Sequence, residues 1–207
     1  ASAAKNKTLN RRWLEEFGGL LGLRVSDIVG EEGIEKKHLI PYTYPSDDEL
    51  SKTRVTGLFL GYYLPWDGLT NALVAQANGF RSYEKTVEGS MVNYENLDNH
   101  QTGIHDYFKF LKFGFGRATD IACLHVRRGR LSRQDALNIV KKSDGKFPWN
   151  YLGKSLGKIL EPLEMTTDEF IAICDEFTNK RIFVRDNQGK LTKDKNGNLT
   201  KVNYENL

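Results

Sequence analysis

Near the start of the chain, apolar residues recur at helical spacing. Leu9, Trp13, Phe17, Leu20 and Leu21 predict an amphipathic helix over 8–22, ended by glycines. Short turns and helices follow, with Ser46 and Glu49 in capping-box register. Residues 54–64, RVTGLFLGYYL, are apolar and β-branched between turn residues, which predicts a strand buried on both faces. The next stretch, PWDGLTNALVAQANGF, predicts a helix over 68–77 capped by Asp67 and closed by Asn78-Gly79. RSYEKTVEGSMV reads as a short hairpin or extended arm.

The second half is mostly helical in pattern. Helices are predicted from Ile104 to Phe113, from Arg117 to Val126 after a Gly-Phe-Gly break, and from the N-cap Ser132 to a stop at Gly145. YLGKSLGKILEPL and MTTDEFIAICDEFTNK complete the set, the latter with Thr167 as its expected cap. The turn signals Asn-Gln-Gly and Asn-Gly then predict a terminal hairpin. The word Asn-Tyr-Glu-Asn-Leu occurs at 93–97 and at 203–207 with unrelated flanks, so it marks no domain repeat. The tail copy reads either as coincidence or as an edge-strand or interface segment.

These patterns predict an α+β, helix-dominated fold. Its parts are one βα unit of a larger sheet, a helical cluster and a C-terminal β-hairpin. One strand needs neighbours, so the βα unit reads as the end of an α/β domain over 1–90. A helical domain over 91–180 and a hairpin tail over 181–207 follow.

Composition narrows the partners. A net charge of +3 over 207 residues makes the whole chain no polycation, so any anion preference must be local. The two cysteines, Cys123 and Cys174, fall in apolar helical runs and read as small buried hydrophobes. No zinc spacing, signal-peptide pattern or membrane-length apolar run occurs, and a cytoplasmic setting is expected.

The stretch YFKFLKFGFGRATDIACLHVRRGR, 107–130, concentrates the candidate chemistry. Gly114 and Gly116 would let backbone approach a ligand, and the helix start that follows favours an anion. Arg117 at that start opposes the helix dipole unless an anion or Asp120 offsets it. His105 beside Asp106 is a candidate base, while Asp106 and Lys109 are spaced as a surface pair. Arg127, Arg128, Arg130 and Arg133 cluster at a helix end, where cations are favourable without any ligand. Tyr62, Trp66 and Asp67 follow the predicted strand, where α/β sheets bind ligands; capping by Asp67 and packing by Trp66 are the alternative. The aromatics near the arginines keep helical spacing, so a small phosphorylated ligand suits this stretch better than a nucleic acid.

Several motifs occur in order: FLGYYLPWDG…ALVAQANGF, VEGS…NYENLD, GIHDYFKFLKFGFGRATDIAC…RRGRLSRQDA and GKFPWNYLGK. Together, over Arg12 to about Lys180, they resemble the N-acetyl sugar amidotransferase family of surface-polysaccharide and nonulosonic-acid biosynthesis, including the lipopolysaccharide and pseudaminic- or legionaminic-acid types. The resemblance implies a PP-loop ATP pyrophosphatase fold, ATP with Mg as cofactor of the full-length enzyme, and conversion of a sugar acetamido group to acetamidino. It implies a sugar nucleotide or N-acetyl sugar as substrate. Ammonia would come from a glutaminase and synthase pair similar to the histidine-pathway enzymes. The family's SGGxDS nucleotide loop and cysteine-rich segment do not occur here, so the chain resembles the C-terminal half. By the same resemblance, Tyr62, Trp66 and Asp67 lie near the ligand, and the block from His105 to Asp120 lines the sugar or phosphate side. Arg117, with Arg127 or Arg128, would offset charge on a leaving phosphate, and Lys109 or Lys112 would hold a sugar diphosphate. No metal ligands are expected in this part. The other readings are an RNA-binding module and a module that docks the glutaminase partner or a second copy of the chain.

Overall fold

The computed structural model describes residues 8–9 and 23–202. Apart from Thr8 and Leu9, the helix expected over 8–22 lies outside the described residues, as does the 203–207 copy of Asn-Tyr-Glu-Asn-Leu. The chain divides into two compact units, Ala1–Asn71 and Ala72–Leu207, with the boundary inside one helix. The fold is α+β and helix-dominated, as the pattern predicts.

In the first unit, α1 (Val25–Ile28) and α2 (Asp47–Thr53) stand among 3-10 turns. The capping box on α2 is present: Ser46 Oγ accepts from Glu49 N at 3.3 Å, and Glu49 Oε2 accepts from Ser46 N at 2.7 Å. The strand expected over 54–64 does not form. One bridge, Thr8↔Leu58, and a 3-10 turn over Leu60–Tyr62 replace it. The pattern was apolar enough for a buried strand, yet Leu60 is 61% and Trp66 75% exposed. A strand is held by neighbours, and the described residues supply only that single bridge. The helix after it, α3 (Gly68–Ala77), has the predicted bounds, and Asp67 Oδ1 accepts from Leu69 N and Thr70 N at 2.9 and 3.1 Å.

The second unit continues with α4 (Thr102–Phe113), α5 (Arg117–Arg127), α6 (Arg133–Ser143), the two-residue strands β1 (Asn150–Tyr151) and β2 (Lys154–Ser155), α7 (Leu156–Leu160) and α8 (Thr167–Phe177). One stripe of α4 carries Tyr107, Phe110 and Leu111 into a core with Phe147, Leu160, Phe170, Cys174 and Phe183. Burying side chains of this size contributes about 1.5–3 kcal/mol each, which sets how α4 sits on α8. Gly114, at φ +76°, closes α4, and its N–H donates to Phe110 O at 2.8 Å. Ser132 caps α6 as predicted. The cap of α8 is Thr166 rather than Thr167, because only Thr166 has a glutamate three residues on, and Thr166 with Glu169 completes the box. Cys174 is buried as expected, whereas Cys123 is exposed, since α5 turns that face away from the core. The segment 81–92, expected as a hairpin or an extended arm, forms no strand but turns back on itself, with Tyr83 N donating to Asn93 O at 2.8 Å and Val87 N to Val92 O at 3.1 Å.

The tail is more than the expected hairpin. Residues 186–193, DNQGKLTK, and 194–201, DKNGNLTK, repeat with a period of eight. In each repeat one aspartate oxygen pins the turn: Asp186 Oδ1 accepts from Gln188 N and Lys190 N, and Asp194 Oδ1 from Asn196 N and Asn198 N. Three residues eight apart then bond in a ring. Val184 N donates to Thr200 O, Thr200 N to Thr192 O, and Thr192 N to Val184 O, at 2.9, 3.2 and 3.0 Å. Their neighbours Phe183, Leu191 and Leu199 all pack into the core of the unit.

Hydrogen bonds from Asn198, first from its side chain and then from its backbone, hold the Asp194 carboxyl below its ordinary range. A group whose pKa is lowered by folding adds stability above its unfolded pKa and loses it as pH falls through the folded one. Asp194→Ala is therefore expected to loosen this turn at neutral pH. Below the carboxylate range, wild type and variant should converge, as hydrogen exchange of the Asn196 and Asn198 amides would register. An unchanged exchange rate at neutral pH would refute the role.

Candidate functional site

A cavity of about 390 Å³ opens in the second unit, between the start of α4, the start of α5, the loop 86–90 and the segment 142–151. Two close approaches shape it. A Cβ on Gly103 would fall 2.5 Å from the Tyr151 ring, so the first turn of α4 can lie against β1 only as glycine. A Cβ on Gly145 would fall 2.2 Å from Phe110, and Gly145 turns at φ +73° to bring the 146–149 segment back over the cavity. The β1–β2 turn, Leu152-Gly153, has positive φ at both residues, the geometry of a two-residue hairpin. Glu88 Oε2 accepts from Leu152 N at 3.0 Å and ties the 86–90 loop to that turn.

At the floor, Asp106 takes Arg117 in a forked pair, Nε to Oδ2 at 2.5 Å and Nη2 to Oδ1 at 3.0 Å. The carboxylate side chain is only 12% exposed and the guanidinium side chain 28%. The hydrogen bond that Arg117 donates to Asp106 is the main reason the Arg117 pKa is raised, against an opposing desolvation. The first Asn-Tyr-Glu-Asn-Leu copy closes around the same arginine. Glu95 Oε2 lies 3.9 Å from Nη1, and the Asn96 side-chain oxygen, in the amide orientation that satisfies both groups, accepts from Nε and Nη1 at 3.0 and 3.1 Å. Tyr151 OH donates to Asn96 O at 3.2 Å, and burial, then the nearby Asp106, push that phenol up to about 12.

The anion expected at the Gly-Phe-Gly-Arg helix start is the chain's own. Asp144 Oδ2 accepts from Gly116 N at 2.8 Å and from Thr119 Oγ1 at 2.5 Å, while Gly89 O takes Ala118 N at 3.2 Å. The helix dipole is thus answered by Asp144, and the charge on Arg117 by Asp106. The other oxygen of Asp144 is buried with no hydrogen-bond partner. Among its near charges is Lys201, whose pKa burial lowers and Asp144 opposes.

The walls are aromatic and basic. The Phe147 and Trp149 rings meet at 4.5 Å, tilted by 49°, and Trp149 Nε1 donates to Asn196 O at 2.8 Å, so the second tail turn fixes the indole. Asn198 Oδ1 of that turn accepts from Phe147 N at 2.8 Å. Lys142 and Lys146 line the cavity and make no ion pair among the described residues.

Of the residues singled out from sequence, the cavity gathers Asp106, Gly116 and Arg117, and Asp106 pairs with Arg117 rather than with Lys109. Asp120 is paired with Lys109, whose ammonium also lies 4.8 Å from the Phe115 ring. Lys112 sits over Phe177, and Gly114 is a helix cap packed on Ile182. His105 is 79% exposed, with Nδ1 3.2 Å from Asp106 Oδ1. Arg127 borders a separate apolar groove of about 330 Å³ between α5 and α6, lined by Cys123, Val126 and Leu137, and Arg128 ends α5. Tyr62, Trp66 and Asp67 belong to the first unit. The residues sequence reasoning passed over are Glu88, Asp144, Lys146, Trp149 and Tyr151. Four of these sit in or beside DGKFPWNYLGK, an aromatic and basic loop that periodicity treats as a gap between helices.

Residues 80–196 match the family model described as LPS biosynthesis protein WbpG-like, C-terminal domain. The chain belongs to the WbpG-like LPS biosynthesis family. No curated protein matches it. Every residue lining the cavity, from Thr86 to Tyr151, lies within the WbpG-like C-terminal domain, as does Asn196, which holds the Trp149 indole. No helix among the described residues is long and apolar enough to cross a membrane.

Proposed function

We propose that this chain is the C-terminal part of an ATP-dependent N-acetyl sugar amidotransferase. It would convert a sugar acetamido group to acetamidino during lipopolysaccharide or nonulosonic-acid biosynthesis. What supports the reading is the coincidence of the cavity with the WbpG-like domain: a half-open site with aromatic walls, two lysines and a floor formed by the Arg117–Asp106 pair. Sites for small ligands have this make-up, mostly apolar with a few placed polar groups. The substrate would be an N-acetyl sugar, most simply as its nucleotide, and ammonia would come from a glutaminase and synthase pair.

The described residues do not fit the ATP–Mg part of the reaction. They hold no group of three or more His, Cys, Asp or Glu placed for a metal ion, and the α5 start spends its donors on Asp144 and Gly89. The proposal therefore gives this domain the sugar and leaves the nucleotide cradle to other residues of the enzyme. Here Arg117 and Asp106 keep each other in place beneath the sugar, and the 142–151 segment closes over it.

The test is an assay of the full-length protein that carries this chain, with ATP, Mg²⁺, ammonium and nucleotide-linked N-acetyl sugars. AMP should appear in step with a sugar whose acetamido oxygen has become an imino nitrogen, as mass spectrometry resolves. Sugars returned unchanged, with no AMP formed, would overturn the reading.

A further inference from the structure

Two features of the cavity wall lie on the same segment. The first is Trp149. Its indole is held by Phe147 and by the bond to Asn196 O, yet the residue stays 44% exposed at the cavity wall. A large aromatic ring, fixed in orientation and left open, is a preorganised stacking surface. The second is the pair of lysines at 142 and 146, which line the cavity without an ion pair among the described residues. They bracket Asp144, whose Oδ2 accepts from Gly116 N and Thr119 Oγ1. The charge of Lys146 is felt by Asp194, whose carboxyl it helps to lower.

We propose that this wall is the subsite for a glycosyl phosphate. The apolar face of a pyranose lies on the Trp149 indole, and the phosphate linked to it is held by Lys142 and Lys146. The proposal rests on the amidotransferase reading for the sugar and moves the phosphate grip away from Lys109 and Lys112. Those two already face Asp120 with Phe115, and Phe177. Ammonium groups on flexible stems act as point charges that can meet a phosphate from more than one direction.

Calorimetric titration of the full chain tests it, with UDP-N-acetylglucosamine, N-acetylglucosamine 1-phosphate and UDP as probes. The two sugar phosphates should bind. Lys142→Gln with Lys146→Gln should weaken both by roughly tenfold or more and flatten the salt dependence of binding. Trp149→Ala should weaken them by a similar factor while the salt dependence persists, and should leave UDP unaffected. Lys158→Gln, an exposed lysine outside the cavity, should change nothing. Thermal melts establish that each variant is folded, and Trp149→Phe, which keeps a ring, should recover part of the lost affinity. No binding of either sugar phosphate, or binding indifferent to both sets of variants, would overturn the subsite. Binding as expected without turnover in the assay above would sink the amidotransferase reading alone; turnover by both variants at the wild-type KM would sink the subsite alone.

Discussion

Gly145→Ala should cost the second unit about 3 kcal/mol or more, a large part of the roughly 5–15 kcal/mol that holds a domain folded. Two effects add. A side chain at φ +73° pays about 1–2 kcal/mol for the left-handed backbone. The new methyl would then stand 2.2 Å from Phe110 Cζ and 2.6 Å from both Cε atoms, where overpacking costs about 1–3 kcal/mol. Phe110 is buried against Tyr107 and Phe183. Gly189→Ala separates the two effects, because Gly189 has φ +81° with nothing within 4 Å of its virtual Cβ, so only the backbone cost remains. Urea unfolding measures both variants. Equal midpoints for the two would show that the Phe110 contact does not count.

Arg117→Ala should be the second severe variant, and for a structural reason. It strands the Asp106 carboxylate in a mostly buried position, which costs on the order of 3 kcal/mol. Asp106→Asn strands the guanidinium, but Glu95 and Asn96 remain beside it, so the loss should be smaller. The double variant should be less unstable than the sum of the singles, and a double-mutant cycle by chemical denaturation reads the difference. Additive losses would mean that the forked pair is not coupled. A fall in activity for Arg117→Ala is therefore evidence of a catalytic role only when the variant's melt is intact.

The helices were legible because their signals are local. Ser46 with Glu49, Asp67, Ser132 and Gly114 each mark an end within a turn or two of the residues they serve. The 54–64 strand was misread because its apolar pattern states a preference for burial but not what supplies it. The candidate site was the least legible part. Asp144 reaches Gly116 across 28 positions, and Trp149 reaches Asn196 across 47. The Gly-Phe-Gly-Arg stretch did announce an anion at a helix start; spacing alone could not tell an external phosphate from an aspartate of the same chain. The eight-residue tail period is present in the sequence, but a hairpin template looks for one turn between two strands and passes over a repeat of turns.

The bonds among residues 184, 192 and 200 close on themselves, so no member sits at an end from which fraying can start. Each amide donates to the carbonyl of the next, and opening any one bond leaves the remaining two to hold the same three segments. Hydrogen–deuterium exchange should then find these three amides slowing and speeding together, as one cooperative unit with the core that holds Phe183. The Trp149 wall hangs from that unit through Asn196 and Asn198, so its opening should follow the same rate.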